Sequence, residues 1–313
     1  MLRFFPFGEA FDGSMGGQVL RPGEGLFDLE PEHYQGEVAL KRQLLTRDHR
    51  YYYRGGPDTL EAQWEVLRLV LEDLAAVHPQ AVELHRRGDL WTWRNTLLEL
   101  EQTFEFGNPE TLPLEPLDWA GRQLQEDLVL LGESTLAPVV GGQVCFANGW
   151  ALDDRLHKSF ADIHTRTPSS TMPSVRAGER LMGTLREGRS VWRTSWNFKL
   201  TGALDLTTQH KAAYKADFAA RAPLLTAQTI GAALFIRIER QTFARLPLSG
   251  MTLFGIHTYN SRLDAEAADP ERARRILAVL RGTPDDVKVY KAITPIEAPL
   301  LAYLEARSRG ESV

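Results

Sequence analysis

His164 follows Phe160 and Ile163 and precedes the polar run Thr165-Arg166-Thr167-Pro168, so an imidazole stands where an apolar stretch gives way to a polar one. A neutral imidazole at the mouth of an apolar pocket is what a b-type haem needs as its axial ligand. The plainer alternative is that a lone histidine near a helix end caps or hydrogen-bonds rather than ligates. His157 lies seven residues earlier in a segment, residues 152–163, with helical character, which predicts that the two rings share one helix face. That spacing is too long for the i,i+4 pair of a zinc hydrolase, and HExxH is absent. His210 and His257 are the reserve candidates for an iron ligand.

A second chemical position sits in the run Ile236-Arg-Ile-Glu-Arg-Gln-Thr242. Period-2 geometry sends Ile236, Ile238, Arg240 and Thr242 to one face and Arg237, Glu239 and Gln241 to the other. A guanidinium on an apolar face is costly unless paired, so Arg240 either satisfies a structural carboxylate or serves a bound anion or oxygen species. Other chemistries lack support. Gly23-Glu-Gly25 and Gly141-Gly142 have no strand–glycine–helix framing, GxxxxGK[ST] and GxSxG do not occur, and Cys145 beside Phe146 reads as a small buried hydrophobe.

The elements that would position these groups change character along the chain. Residues 1–57 mix Gly, Pro, aromatics and charge and read as a wrapping arm, with one helix over 32–45. From Leu60 the positions Trp64, Leu67, Leu71 and Leu74 lay one stripe down a helix that Thr59 would cap. Pro109, Pro113 and Pro116 mark a connector, and residues 119–131, with Leu124, Leu128 and Leu131 in register, predict a further helix. Short strands follow at 137–140, 143–147 and 190–200, then a hairpin of 234–242 and 251–259 turning at Pro247-Leu-Ser-Gly250. Residues 270–281 and 299–307 return to helix. Strands not interleaved with crossover helices give an α+β class, with soft boundaries at 1–115, 116–265 and 266–313 inside what reads as one compact unit.

Composition narrows the function classes. With 313 residues and 43% hydrophobic content the chain can bury a sizeable core without staples. A formal charge of -5, from 36 Lys+Arg against 41 Asp+Glu, argues against a nucleic-acid binder. One cysteine cannot hold an iron–sulfur cluster, so any such cluster would belong to another chain. No signal-like start and no apolar run of spanning length point to a cytoplasmic protein off the membrane.

Three separated motifs then carry a resemblance. Cys145-Phe-Ala-Asn-Gly-Trp150 followed by Leu156, Phe160 and Ile163-His164, Arg193-Thr-Ser-Trp196, and Glu239-Arg-Gln-Thr-Phe-Ala-Arg-Leu-Pro247 with Phe254-Gly-Ile-His-Thr-Tyr259 resemble the proteins similar to the haem-binding alpha subunit of haem-dependent oxidative N-demethylase. Phe27, Asp28, Tyr34 and Lys41-Arg42 extend the likeness to roughly residues 20 to 300. The resemblance implies a PAS-like core, a five-stranded antiparallel sheet with flanking helices, holding haem b. It implies oxidation of a small secondary amine such as dimethylamine by dioxygen, with electrons from NADPH through FMN and a 2Fe–2S cluster on partner subunits and tetrahydrofolate taking up formaldehyde.

Carried onto this chain, the resemblance makes His164 the iron ligand and places Arg240 over the far haem face as the preferred catalytic group, with Glu239 the alternative that would hold an ammonium ion. Arg193 would meet a haem propionate or brace Trp196. The sequence departs from the family pattern at Ala147-Asn148-Gly149, at Arg155 in place of lysine, after His164, and at Ser195, which bears on pocket shape and substrate more than on ligation. The competing function is a non-enzymatic haem sensor of gas or redox state, and beyond it a haem-free relative in which His164 only caps a helix.

Overall fold

The computed structural model describes residues 1–14, 16–21, 23–134, 136–165 and 167–311; Arg166, among the departures noted after His164, lies outside them. Ten strands are present among the described residues: β1 (Gln18–Val19), β2 (Tyr53–Arg54), β3 (Val82–Arg87), β4 (Leu90–Asn95), β5 (Leu100–Glu105), β6 (Asp127–Leu131), β7 (Val139–Gln143), β8 (Val191–Lys199), β9 (Phe235–Arg245) and β10 (Thr252–Arg262). Seven of them form one antiparallel sheet in the order β1-β8-β9-β10-β6-β7-β2, and β3-β4-β5 form a separate meander.

The β9–β10 hairpin is the spine of the large sheet. Its register runs unbroken from Phe235↔Arg262 to Arg245↔Thr252, so the alternation written in the sequence is realised without a bulge. Ile236 and Ile238 face the helices Pro270–Gly282 and Glu297–Ser308 and pack with Ile276, Leu280, Leu300 and Leu304. Each such side chain fully removed from water contributes about 1.5–3 kcal/mol. The same face further along is covered by helices Pro31–Arg47 and Leu60–Val77, whose Val66, Leu67, Val70, Leu71 and Leu74 are buried. Against the opposite face lie residues 152–165 and 167–184, including helix Met172–Thr184, and helix Thr208–Arg221.

Several expectations are corrected. Residues 119–131 do not form one helix: the helix is only Pro116–Gly121, and Asp127–Leu131 is a strand between β10 and β7. All five of its residues are buried, and an apolar run covered on both faces has no alternation to distinguish it from a buried helix. Residues 152–163 are likewise not continuous. A 3-10 turn at Leu152–Asp154 and a one-turn helix at Phe160–Ile163 are separated by His157 at φ 62°, so His157 and His164 share no helix face, and His157 is exposed. The segment 143–147 leaves the sheet after Gln143, where Cys145 N and Phe146 N each donate to the Asp127 carboxylate at 2.8 Å. Thr59 precedes its helix without capping it; its hydroxyl donates to Gly56 O at 3.0 Å.

The arm does more than wrap. Residues 18–19 add an edge strand to β8, and residues 53–54 add one to β7. No described helix is long and apolar enough to cross a membrane.

Candidate functional site

The sheet face that carries Glu239 opens into a cavity of about 1060 Å³. Its floor is apolar. Val129 and Leu131 of β6, Ile256 of β10 and the parallel rings of Phe243 and Phe254, 4.7 Å apart at 6°, form a flat greasy surface.

His164 enters from the wall opposite the sheet. Ser159 and Asp162 close a capping box, in which Asp162 N donates to Ser159 Oγ and Ser159 N donates to Asp162 Oδ2, both at 3.2 Å. That box holds a single turn of helix, Phe160–Ile163, which would be marginal alone. His164 terminates the turn. Its Nδ1 lies 2.7 Å from Phe160 O, and because a carbonyl only accepts, Nδ1 carries the proton and Nε2 keeps its lone pair. The imidazole also lies 4.2 Å from the Phe160 ring. Burial, with the charges of Arg155 and Arg193 nearby, holds the ring below its ordinary pKa and hence neutral. The Phe160 ring rests on the backbone at Gly178 of helix Met172–Thr184, where a Cβ would come within 2.6 Å of Cζ.

The polar end of the cavity is built on β8 and β9. Arg193, Ser195, Asn197 and Lys199 follow at period 2 on the cavity face of β8, beside Gln241 and Glu239 of β9, with Ser195 directly opposite Glu239. Gln241 Nε2 donates to Glu239 Oε2 at 3.1 Å. Arg193 Nε is buried with no partner in the protein. Lys291 reaches in over the edge of β8, its Nζ donating to Trp196 O at 2.6 Å and lying 4.4 Å from the Trp196 ring centre. Burial pushes Lys199 and Lys291 each down to about 8.

Of the residues singled out in the sequence, the structure brings the side chains of His164, Arg193 and Glu239 around this cavity, and Trp196 only borders it. Arg240 is not among them. It points through the other face of the sheet, where its guanidinium donates to Leu26 O at 2.9 Å and Gly25 O at 2.7 Å between the rings of Phe4 and Trp192. Arg240 is thus satisfied by backbone carbonyls and not by the structural carboxylate expected as the alternative, and it is Glu239 that faces the cavity. Trp196 projects from the opposite side of β8 to Arg193 and packs against Phe7 and Phe198, so Arg193 does not brace it.

The reserve histidines are engaged elsewhere. His257 is buried behind the sheet with Nδ1 3.1 Å from Glu126 Oε1, and His210 pairs with Asp205 at 3.1 Å. Lys199, Gln241 and Lys291 escaped the sequence reading. The first two continue the period-2 faces of strands already recognised, whereas Lys291 follows the short helix Asp285–Tyr290, which has no local signature of a site.

A family model described as haem-dependent oxidative N-demethylase, alpha subunit-like, matches residues 22–301 of the 313. The chain belongs to that family. The family description supplies a haem-dependent oxidative demethylase class and an alpha subunit, which implies a partner subunit.

The cavity residues fit the group that the family's description names. Among the described residues no three His, Cys, Asp or Glu side chains gather to hold a bare metal ion. What the cavity offers instead is one neutral imidazole with its second nitrogen already fixed, the donor set appropriate to an iron whose other ligands come from a macrocycle. An apolar floor, and a buried guanidinium with an unpartnered Nε for peripheral carboxylates, complete the fit.

Proposed function

We propose that this protein is a haem b-dependent, oxygen-activating enzyme that removes a methyl group from a small secondary amine, with His164 Nε2 as the iron ligand. The observation that carries the reading is the His164–Phe160 contact inside a cavity that also presents Glu239. In balance, one methylated ammonium ion, one dioxygen, two electrons and two protons give the demethylated ammonium ion, formaldehyde and one water. Haem, when bound, supplies the oxygen activation and carbon–hydrogen chemistry.

The chain's own residues supply position and polarity. Glu239 accepts the ammonium group of the substrate, and Gln241 holds the carboxylate by its 3.1 Å hydrogen bond so that it points into the cavity. Arg193, whose Nε has no protein partner, serves as counter-charge to a haem carboxylate. The stacked Phe243 and Phe254 keep the floor dry. A carboxylate inside the cavity suits an amine better than a neutral gas, which favours the enzyme over the sensor.

Electrons come from a separate reductase that carries FMN, a 2Fe–2S cluster and the NADPH site, in the cytoplasm. A PAS-like core is part of the same reading, supported by five antiparallel strands, β6 to β10, flanked by helices. The segment 116–265 forms that core, with 1–115 wrapped around it and 266–313 as a helical extension. Titrating the haem-free protein with haemin, then supplying a secondary amine, dioxygen and a chemical reductant, tests the reading: a Soret band followed by formaldehyde supports it, and a protein that binds haem but releases no formaldehyde from any secondary amine is not this enzyme.

A further inference from the structure

The charges buried in the cavity are unbalanced for a simple ammonium substrate. Away from the rim, its ionisable cations are Arg193, Lys199 and Lys291, and its carboxylate is Glu239. A lone methylammonium ion entering there would meet one attractive group and three repulsive ones in a medium of low dielectric. The rim charges do not alter this. The acidic rim groups are already bonded, Asp12 by Ser14, Asp154 by Ala151 N and the Thr208 hydroxyl, and Asp162 by Ser159, and the basic ones, Arg155, Lys158, Lys211 and Lys215, only add to the positive side.

The layout puts one cation on the free edge of β8, one strand across from the carboxylate of β9. Ser195 is the direct cross-strand neighbour of Glu239, which sets their Cα atoms about 4.5–5.5 Å apart. Lys291 Nζ is anchored on the carbonyl of the next residue, Trp196. Lys199 lies four residues along the same face of β8, about 13 Å at the rise of a strand, and its Nζ sits 5.0 Å from the Tyr214 ring centre with no carboxylate partner among the described residues. An acid and bases that line one cavity without pairing to each other match a ligand that carries both opposite charges.

Building on the proposed demethylase reading, we propose that the substrate is a secondary amine that also bears a carboxylate, an N-methylated amino acid, with its ammonium on Glu239 and its carboxylate on Lys291, assisted by Lys199. The reaction balances as before, the product being the primary amino acid, with the two electrons drawn from a reduced flavin or iron–sulfur partner. The lysines, both pushed down to about 8 by burial, regain charge stabilisation when the anion arrives.

The test compares sarcosine with N-methylethylamine, which keeps its N-methyl and methylene groups but has a smaller, uncharged methyl group for the carboxylate. Binding is read by absorbance change in the haem-loaded protein and by calorimetry in the haem-free protein. Sarcosine should bind at least tenfold more tightly than N-methylethylamine. In Lys291→Met that ratio should collapse towards one, and Lys291→Arg should restore most of it. Equal affinities in the wild type, or tighter binding of N-methylethylamine, would overturn the proposal. So would loss of haem affinity in Lys291→Met with the ratio intact, because the lysines would then serve the haem carboxylates. A wild type that forms no Soret band refutes the haem reading instead, and the calorimetric ratio still decides whether the cavity takes a zwitterion.

Discussion

His164 Nδ1 sits 2.7 Å from the carbonyl oxygen of Phe160, four residues earlier, and this contact decides which imidazole nitrogen looks into the cavity. The proposed iron ligand is therefore oriented by the backbone of its own one-turn helix, and whatever moves Phe160 moves His164.

Gly178 offers the lever. A methyl group there would stand 2.6 Å from Phe160 Cζ. Alanine gains about 1 kcal/mol of helix propensity, and overpacking costs roughly 1–3 kcal/mol, so net stability should change little. Haem affinity should fall at least about tenfold, about 1.4 kcal/mol. Haemin titration together with urea unfolding of Gly178→Ala checks both halves, and an unchanged haem affinity would uncouple Phe160 from the ligand.

Arg240 should behave in the opposite way. Its guanidinium ties β9 to the arm through the carbonyls of Gly25 and Leu26, far from the cavity face. Hydrogen bonds from a charged group are worth about 1.5–3 kcal/mol, so Arg240→Met should lower the unfolding free energy by roughly 2–3 kcal/mol. Its haem spectrum and amine binding should match the wild type. Equilibrium unfolding beside a haemin titration separates these effects.

How far the site could be read from sequence follows from these two residues. Alternation in β9 was legible and correctly put Arg240 and Glu239 on different faces. Which face opens was not legible, because both are covered and Arg240 is matched by carbonyls of the arm more than 200 residues away. The strand Asp127–Leu131 hid for the same reason: burial on both sides erases the period. The β3–β4–β5 meander left a usable sign, the two-residue Gly88-Asp89 turn with Gly88 at φ 62° between alternating runs. Lys291 left none, since its place beside Trp196 is a tertiary result.

Stability should respond to pH through the pair behind the sheet. Burial pushes His257 down, but Glu126 Oε1 at 3.1 Å more than offsets it and the histidine is raised; Glu126, likewise disfavoured by burial, is lowered by His257. The histidine's contribution is complete below about pH 6.5, its unfolded value, and is lost as pH rises through its higher folded value; that of the glutamate is lost on acidification below its ordinary range. The urea midpoint of the wild type, taken relative to His257→Gln, should therefore fall between pH 6 and pH 8. In His257→Gln the slope should flatten, with overall destabilisation of roughly 3–5 kcal/mol from the unpaired glutamate. A wild-type advantage over His257→Gln that grows over this interval would reverse the assigned sign.

Carboxylate binding in the cavity should weaken in alkali. Lys199 and Lys291, each held near 8 by burial, face Arg193 on β8, Glu239 on β9 and Tyr214 on helix Thr208–Arg221. Deprotonation removes the cations that receive the anion, so sarcosine affinity should fall as pH rises through about 8, up to tenfold per unit for each proton required. Calorimetry across pH 7 to 9.5 measures this, and an affinity that grows over that range would contradict the assignment of the lysines.

His164 Nε2 is the iron ligand of the proposed function, and absorption spectroscopy of purified wild type and His164→Ala titrated with haemin tests it. The wild type should give a saturable Soret band at one haem per chain, and His164→Ala should lose that band or shift it, with affinity down at least a hundredfold. The same band at the same affinity in both proteins would move the iron to another residue and leave the cavity's imidazole without the role assigned to it.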